Sequence, residues 1–292
     1  MTAVDAVRGL RSRAVGALAR SLQVLRSDRG LLVGVVLFVA IVLLALLGPL
    51  VVRTDPFQTS AEVLLGPSWD HLLGTDSVGR DLLARVIGGL RYSLQVVILA
   101  TAGTALIGIS LGLLAGYLGG RTDWIAMRVT DVLLAIPSLM VAIAAIASFG
   151  AGLRVLVLVL VVTFVSLALR VARAAAMQLR ERDYVLSARL SKVGTARILW
   201  IHVFPNSRAT LLVQTTLTAA LVLLIETSLS FLGLGAQSPA PSLGGMIADG
   251  RTWMEVSPHV ILVPTAVVIA LISSITAIGN GLDRVLARQT AR

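Results

Sequence analysis

The 292-residue sequence contains no cysteine, which excludes disulfides, thioether-linked haem and thiolate metal sites. Charge is also scarce: 14% of the residues are Asp, Glu, Lys or Arg, where a soluble domain carries about a quarter. Aromatics make up only 4%, and few accompany the arginines, so the net charge of +10 does not point to a nucleic-acid partner. The three histidines, His71, His202 and His259, lack ligand spacing, and no metal site is expected. No glycine-rich loop ends in Lys-Ser or Lys-Thr to cradle a nucleotide. No HExxH run and no Ser/His/Asp set in a strand–turn–helix context is present. The chain is therefore not expected to be an enzyme.

What it has in excess is apolar residues, 57% of the total. Gly30 to Val52 runs 23 residues without a charge, about 34 Å as a helix and enough to cross a bilayer. It is too long for the apolar region of a cleaved leader and has no small-residue cleavage site, so it reads as a retained first span. Further spans are expected at Tyr92–Gly120, Met127–Ser148, Val155–Leu169, Ala209–Leu232 and His259–Leu282. With that threading, 19 of the 25 basic residues fall on the side holding both termini, while acidic residues divide evenly. Such a bias in Arg and Lys alone marks the cytoplasmic side. The expected fold is an all-α polytopic membrane protein with six transmembrane helices. Its parts are a basic N-terminal segment (1–30), a first span plus external segment (31–91), a transmembrane core (92–282) and a cytoplasmic tail (283–292). Residues 1–30 carry six arginines against Asp5 and Asp28 and read as an amphipathic helix on the inner leaflet or as a solvated basic tail.

Inside the core, Gly108, Gly112 and Gly116 recur every fourth residue, a spacing that lets another helix approach closely in a membrane; a loosely packed span is the alternative. Pro137 should kink the third span, because it lacks a backbone donor and clashes with the preceding turn. Arg128 and Asp131 lie i, i+3 on one helix face, a structural pair at the inner interface. Glu226 either faces a water-filled path, where it could hold a cationic group, or snorkels outward or bonds a neighbouring helix. Outside, Asp76 and Asp81 could be paired carboxylates. A capped turn, with Asp76 or Ser77 as the cap and Arg80-Asp81 on the following helix, is preferred because no nucleophile or metal partner accompanies them.

The one long polar interval is Arg180 to Asn206. With Arg208 just beyond, it carries five arginines and Lys192, and it reads as a helix, a turn at Gly194, a short helix and a stop at Pro205. Because intramembrane charge is too sparse for a proton relay, energy for uphill transport would have to enter through this loop.

Five stretches resemble the permease subunits of bacterial dipeptide, oligopeptide and nickel ABC importers, specifically the second permease of the usual pair. They are HLLGTDSVGRDLLARVIGGLRYSL (71–94), AGYLGGRTDWIAMRVTDVLLAIPSLMVAI (115–143), the loop 180–206, ETSLSFLGLGAQSPAPSLGGMI (226–247) and IGNGLDRVL (278–286). The external motif comprises Gly74, Thr75, Asp76, Gly79, Arg80 and Asp81. The resemblance implies a type I importer permease fold in the bacterial cytoplasmic membrane, carrying peptides, or nickel, glutathione or another small solute. It implies a second homologous permease in a heteromeric pair, one or two cytoplasmic ATPase subunits that bind ATP and magnesium, and an extracytoplasmic binding protein. No cofactor is expected in this chain. Loop residues Tyr184, Ser187, Ala188, Arg189, Lys192, Gly194, Arg197, His202, Pro205 and Asn206 would couple to the ATPases. The usual loop reads EAAxxxG, nine residues, then IxLP. Here Leu186-Ser187-Ala188 stands at EAA and Lys192 at the glycine, implying a turn moved to Gly194 or an altered ATPase surface. A stand-alone channel or secondary transporter would instead show internal repeats or broken helices with facing termini, and a membrane scaffold would not need such a loop.

Overall fold

The computed structural model describes residues 28–52 and 54–290; the expected N-terminal amphipathic segment lies almost wholly outside them. The described elements are helical: α1 (Arg29–Val51), α2 (Leu82–Leu118), α3 (Gly120–Ala135), α4 (Ser138–Phe149), α5 (Leu153–Leu179), α6 (Asp183–Leu190), α7 (Thr195–Ile198), a π-helical turn (Leu199–Val203), α8 (Phe204–Phe231), α9 (Leu243–Arg251) and α10 (His259–Thr290). Among the described residues, five helical stretches are long and apolar enough to span a bilayer: α1, α2, α5, α7 through α8, and α10. The exposed leucines and valines of α1 meet hydrocarbon rather than water in that setting, so they carry no solvation penalty.

The expected third span is not one helix. It breaks between α3 and α4 with an angle of 83°. Pro137 denies its predecessor the α region, and Ile136 is extended (φ −99°, ψ 127°), which ends α3. At 12 residues, α4 is only about 18 Å long, too short to cross alone.

α5 also differs from expectation, running ten residues past the predicted end at Leu169 to Leu179. Arg170, which seemed to close it, is paired, its Nη2 2.7 Å from Asp131 Oδ1, and Arg173 beyond it binds Asp123. Both acids sit on α3, so the charges are met by protein and need not stop the helix.

The main core forms where α2, α5, α8, α9 and α10 meet, around Leu90, Leu156, Leu160, Leu223, Leu243 and Leu271. A second cluster gathers Leu113, Tyr117, Ala176, Val185, Ile198 and Val203 at the end carrying the 180–206 loop. α1 leans on α10 through Gly34, where an added Cβ would lie 2.8 Å from the Ala277 methyl. At the other end of α1, Gly48 abuts Ile87 near the start of α2. The start of α1 and the end of α10 therefore lie at the loop end of the bundle.

Candidate functional site

α6 forms with one inward face: Val185 is fully buried against Ile198 and Val203, with Ala188 beside them. Its other face holds Tyr184, Leu186 and Leu190 in the open, and Leu190 is 85% exposed. The helix ends in a Schellman closure, in which the Val193 amide donates to the Ala188 carbonyl and the Lys192 amide to Arg189. That closure requires a left-handed residue, and Lys192 supplies it with φ +56°. The turn has not moved to Gly194, which has φ −63° and precedes α7. Lysine therefore occupies the left-handed position where the resembled pattern has glycine.

The chain does not stop at Pro205 either. Pro205 lies in the first turn of α8, and the stretch from Thr195 to Phe231 is continuously helical. The preceding π turn makes this possible: the Phe204 amide donates to the Leu199 carbonyl, five residues back. The widened turn accommodates a proline that would clash in a regular helix. Around it, the Asn206 side chain donates to the His202 carbonyl at 2.6 Å, and the Tyr184 and His202 rings lie 6.2 Å apart. Arg189 is exposed yet sets its guanidinium 5.2 Å from the Tyr117 ring centre. Ser187 and Arg197 are exposed.

Gly108, Gly112 and Gly116 all face α5. A Cβ at Gly108 would lie 2.7 Å from the Ala168 methyl, and Cβ atoms at Gly112 and Gly116 would collide with the Leu169 and Arg173 carbonyls. Ala168, Ala172 and Ala176 complete the stripe from the α5 side. Sequence reasoning missed these alanines, although their four-residue spacing in a Val/Leu-rich span is the readable signal.

Glu226 neither snorkels nor faces open space. It is fully buried, and it accepts hydrogen bonds from Ser230 Oγ (2.9 Å), Ser93 Oγ on α2 (3.1 Å) and Thr227 Oγ1 (3.4 Å). The carboxylate thus joins α8 to α2 through hydroxyl donors.

The model of the family described as binding-protein-dependent transport system inner membrane component matches residues 108–292. The N-terminal transmembrane domain of oligopeptide transport permease C matches residues 17–67. The dipeptide transport permease of Alkalihalophilus pseudofirmus is 34% identical, over 88% of this chain and 85% of that one. This chain belongs to that transport-permease family. The di/tripeptide transport permease of Pseudomonas aeruginosa is 39% identical over 87% of this chain and 86% of its own length. The oligopeptide transport permease of Bacillus subtilis is 34% identical over 88% and 85%. The family consists of permease subunits of ABC importers rather than catalysts.

In this permease the motif of residues 74–81 builds a plinth for α2. The cap is Asp81, not Asp76 or Ser77: its Oδ1 accepts from the Ala84 amide at 2.8 Å, while Oδ2 lies 2.8 Å from His71 Nδ1. The Arg80 side chain is held before the helix begins, by Asp76 Oδ2 at 2.7 Å. Asp76 Oδ1 accepts from the Val78 and Arg80 amides at 2.9 Å each. Asp76 and Asp81 thus serve different partners and are not a carboxylate pair. Thr75 Oγ1 donates to the Glu62 carbonyl at 2.6 Å. Gly74 and Gly79 have φ +85° and +75° and lie against the Leu65 and Ser60 carbonyls, so no side chain fits there. At the loop end, Arg128 and Asp131 stand 3.9 Å apart. Asp131 also bonds Arg170, more closely at 2.7 Å, and Arg128 covers the Trp124 ring at 5.6 Å.

Proposed function

We propose that this permease forms one half of the path of a peptide importer and takes its energy through the 180–206 loop. The carrying observation is mechanical: an exposed apolar tip, Tyr184, Leu186 and Leu190, is packed through Val185 onto a helix that runs on from Thr195 to Phe231. An ATPase surface that covers the tip would therefore act on α8 as a lever. Peptides are the proposed cargo because the dipeptide, di/tripeptide and oligopeptide permeases above align over most of this chain. ATP and magnesium reside on the ATPase subunits, a second, different permease completes the path, and an extracytoplasmic binding protein delivers the peptide. The complex sits in the bacterial cytoplasmic membrane. Both termini are cytoplasmic, a reading supported by the position of Asp28 and Arg284 at the loop end.

The test is to co-express the permease with its pair, the ATPases and the binding protein, then measure co-purification and dipeptide-stimulated ATP hydrolysis in lipid. Leu186→Asp with Leu190→Asp changes only exposed positions. The expected result is loss of the ATPases or a fall in stimulation of about tenfold or more, as for removal of an interface hot spot. Wild-type permease that never retains an ATPase, or a variant that couples normally, overturns the reading.

A further inference from the structure

On the side opposite the loop, a cavity of about 280 Å³ opens between the start of α2, the end of α8 and α9. Its lining includes Arg80, Arg85, Ser230, Gln237, Ser242 and Asp249. Arg80 and Arg85 share one carboxylate, Asp76, whose Oδ2 lies 2.7 Å from one Nε and 3.3 Å from the other. Arg85 is buried, at 5% exposure, and among the described residues its Nε lacks a hydrogen-bond partner of proper geometry. Its Nη1 donates to the Pro56 carbonyl at 3.3 Å. Among the described residues, the two guanidinium groups on this wall thus share a single paired carboxylate. On α9, Asp249 is exposed and makes no ion pair among the described residues, although it acts electrostatically on Arg85. The cavity is neutral in sum but polarised, with surplus positive charge on one wall and negative charge on the other.

A buried arginine that lacks a full set of partners is costly unless a ligand completes it. An inorganic anion would satisfy Arg85 but meet repulsion from Asp249. A zwitterion satisfies both. The volume is at the small end of small-molecule sites, about 300–1,000 Å³, which suits a ligand of one to three residues.

We propose that this cavity binds a short zwitterionic peptide, its carboxylate toward Arg85 and Arg80 and its ammonium toward Asp249. The proposal rests on the peptide reading of the permease and adds a substrate site within the chain itself. Ser230 extends the site inward, since its hydroxyl, at the cavity wall, donates to the buried Glu226.

The experiment uses the assembled complex in lipid nanodiscs without the binding protein, with tritiated Ala-Ala as the probe and N-acetyl-Ala-Ala as the uncharged-amine control. Wild type should bind Ala-Ala saturably, and Asp249→Asn should weaken binding about tenfold, the scale of one hydrogen bond to a charged group. N-acetyl-Ala-Ala should bind wild type and Asp249→Asn equally, and Asp249→Glu should retain most of the Ala-Ala affinity. Equal melting temperatures check the fold of each variant. Absence of saturable binding, or equal Ala-Ala affinity in Asp249→Asn and wild type, overturns the site. So does a variant that weakens only attachment of the binding protein, which would make the cavity a protein docking socket. A complex that binds Ala-Ala here yet imports no peptide when the binding protein is supplied would refute peptide import and leave the site standing.

Discussion

The Arg284 guanidinium grips Asp28 across 256 positions of sequence, with Nε 2.7 Å from one carboxylate oxygen and Nη2 2.9 Å from the other. Asp28 also caps α1 by accepting from the Leu31 amide at 2.9 Å. One carboxylate therefore starts α1 and ties it to α10. The Arg284 hydrogen bond, aided by the Leu31 amide, holds the Asp28 carboxyl well below the usual carboxylate range. A depressed carboxyl stabilises the fold above its unfolded pKa, and the benefit disappears as pH falls toward the folded value. Asp28→Asn should therefore melt below wild type at pH 7. The gap should narrow as the pH drops below about 4. A gap that stays constant down to acid pH would show that the bidentate pair does not carry the effect.

The long spans were readable because the bilayer admits only helices that satisfy their own backbone, so uncharged runs such as Gly30–Val52 have one available structure. The kink at Pro137 was readable from proline's missing donor and its clash with the preceding turn, but its 83° size was not. Arg170 looked like a span end because its acidic partner, Asp131, belongs to another helix. Pro205 looked like a stop because a π turn leaves no composition signal. The polarised cavity was illegible in sequence, since Arg85 and Asp249 lie far apart in the chain and both line it only in the fold.

Lys192 offers a sharper test of the loop. At φ +56° its Cβ strains the backbone by about 1–2 kcal/mol relative to glycine, partly offset by the freedom that glycine adds to the unfolded chain. Lys192→Gly should raise stability by up to about 1 kcal/mol, and Lys192→Ile should lower it. Gly194→Ala, at φ −63° with nothing within 4 Å of the new methyl, should change stability by less than about 0.5 kcal/mol. Thermal unfolding of the three variants in one detergent decides it. A larger loss at Gly194 than at Lys192→Ile would return the turn to Gly194.

His71 should make the plinth at the start of α2 sensitive to mild alkali. Its Nδ1 hydrogen bond to Asp81 raises the pKa above the ordinary histidine value, with Glu62 3.3 Å from Nε2 adding to the pull. A raised histidine stabilises fully below its unfolded pKa, and the benefit is lost as pH climbs through the folded one. The melting temperature of wild type should exceed that of His71→Gln at pH 6, and the difference should shrink as pH rises from about 6.5 upward. The reverse trend would mean that His71 is held neutral.

The glycine stripe makes the last prediction. At Gly112 even one methyl meets a backbone carbonyl, that of Leu169, and the Ala172 methyl beside it. Backbone atoms of a long helix cannot swing aside as a side-chain tip can, so α2 and α5 must separate along their length. Gly112→Ala should cost about 1–3 kcal/mol, and Gly112→Leu should abolish stable assembly. Leu111, one residue away and 48% exposed, points outward, so Leu111→Ala should be tolerated in the same detergent. The three melting temperatures separate a packing requirement from a general intolerance of change in this span. If Gly112→Ala melts with wild type, the close approach of α2 and α5 is not what holds them together.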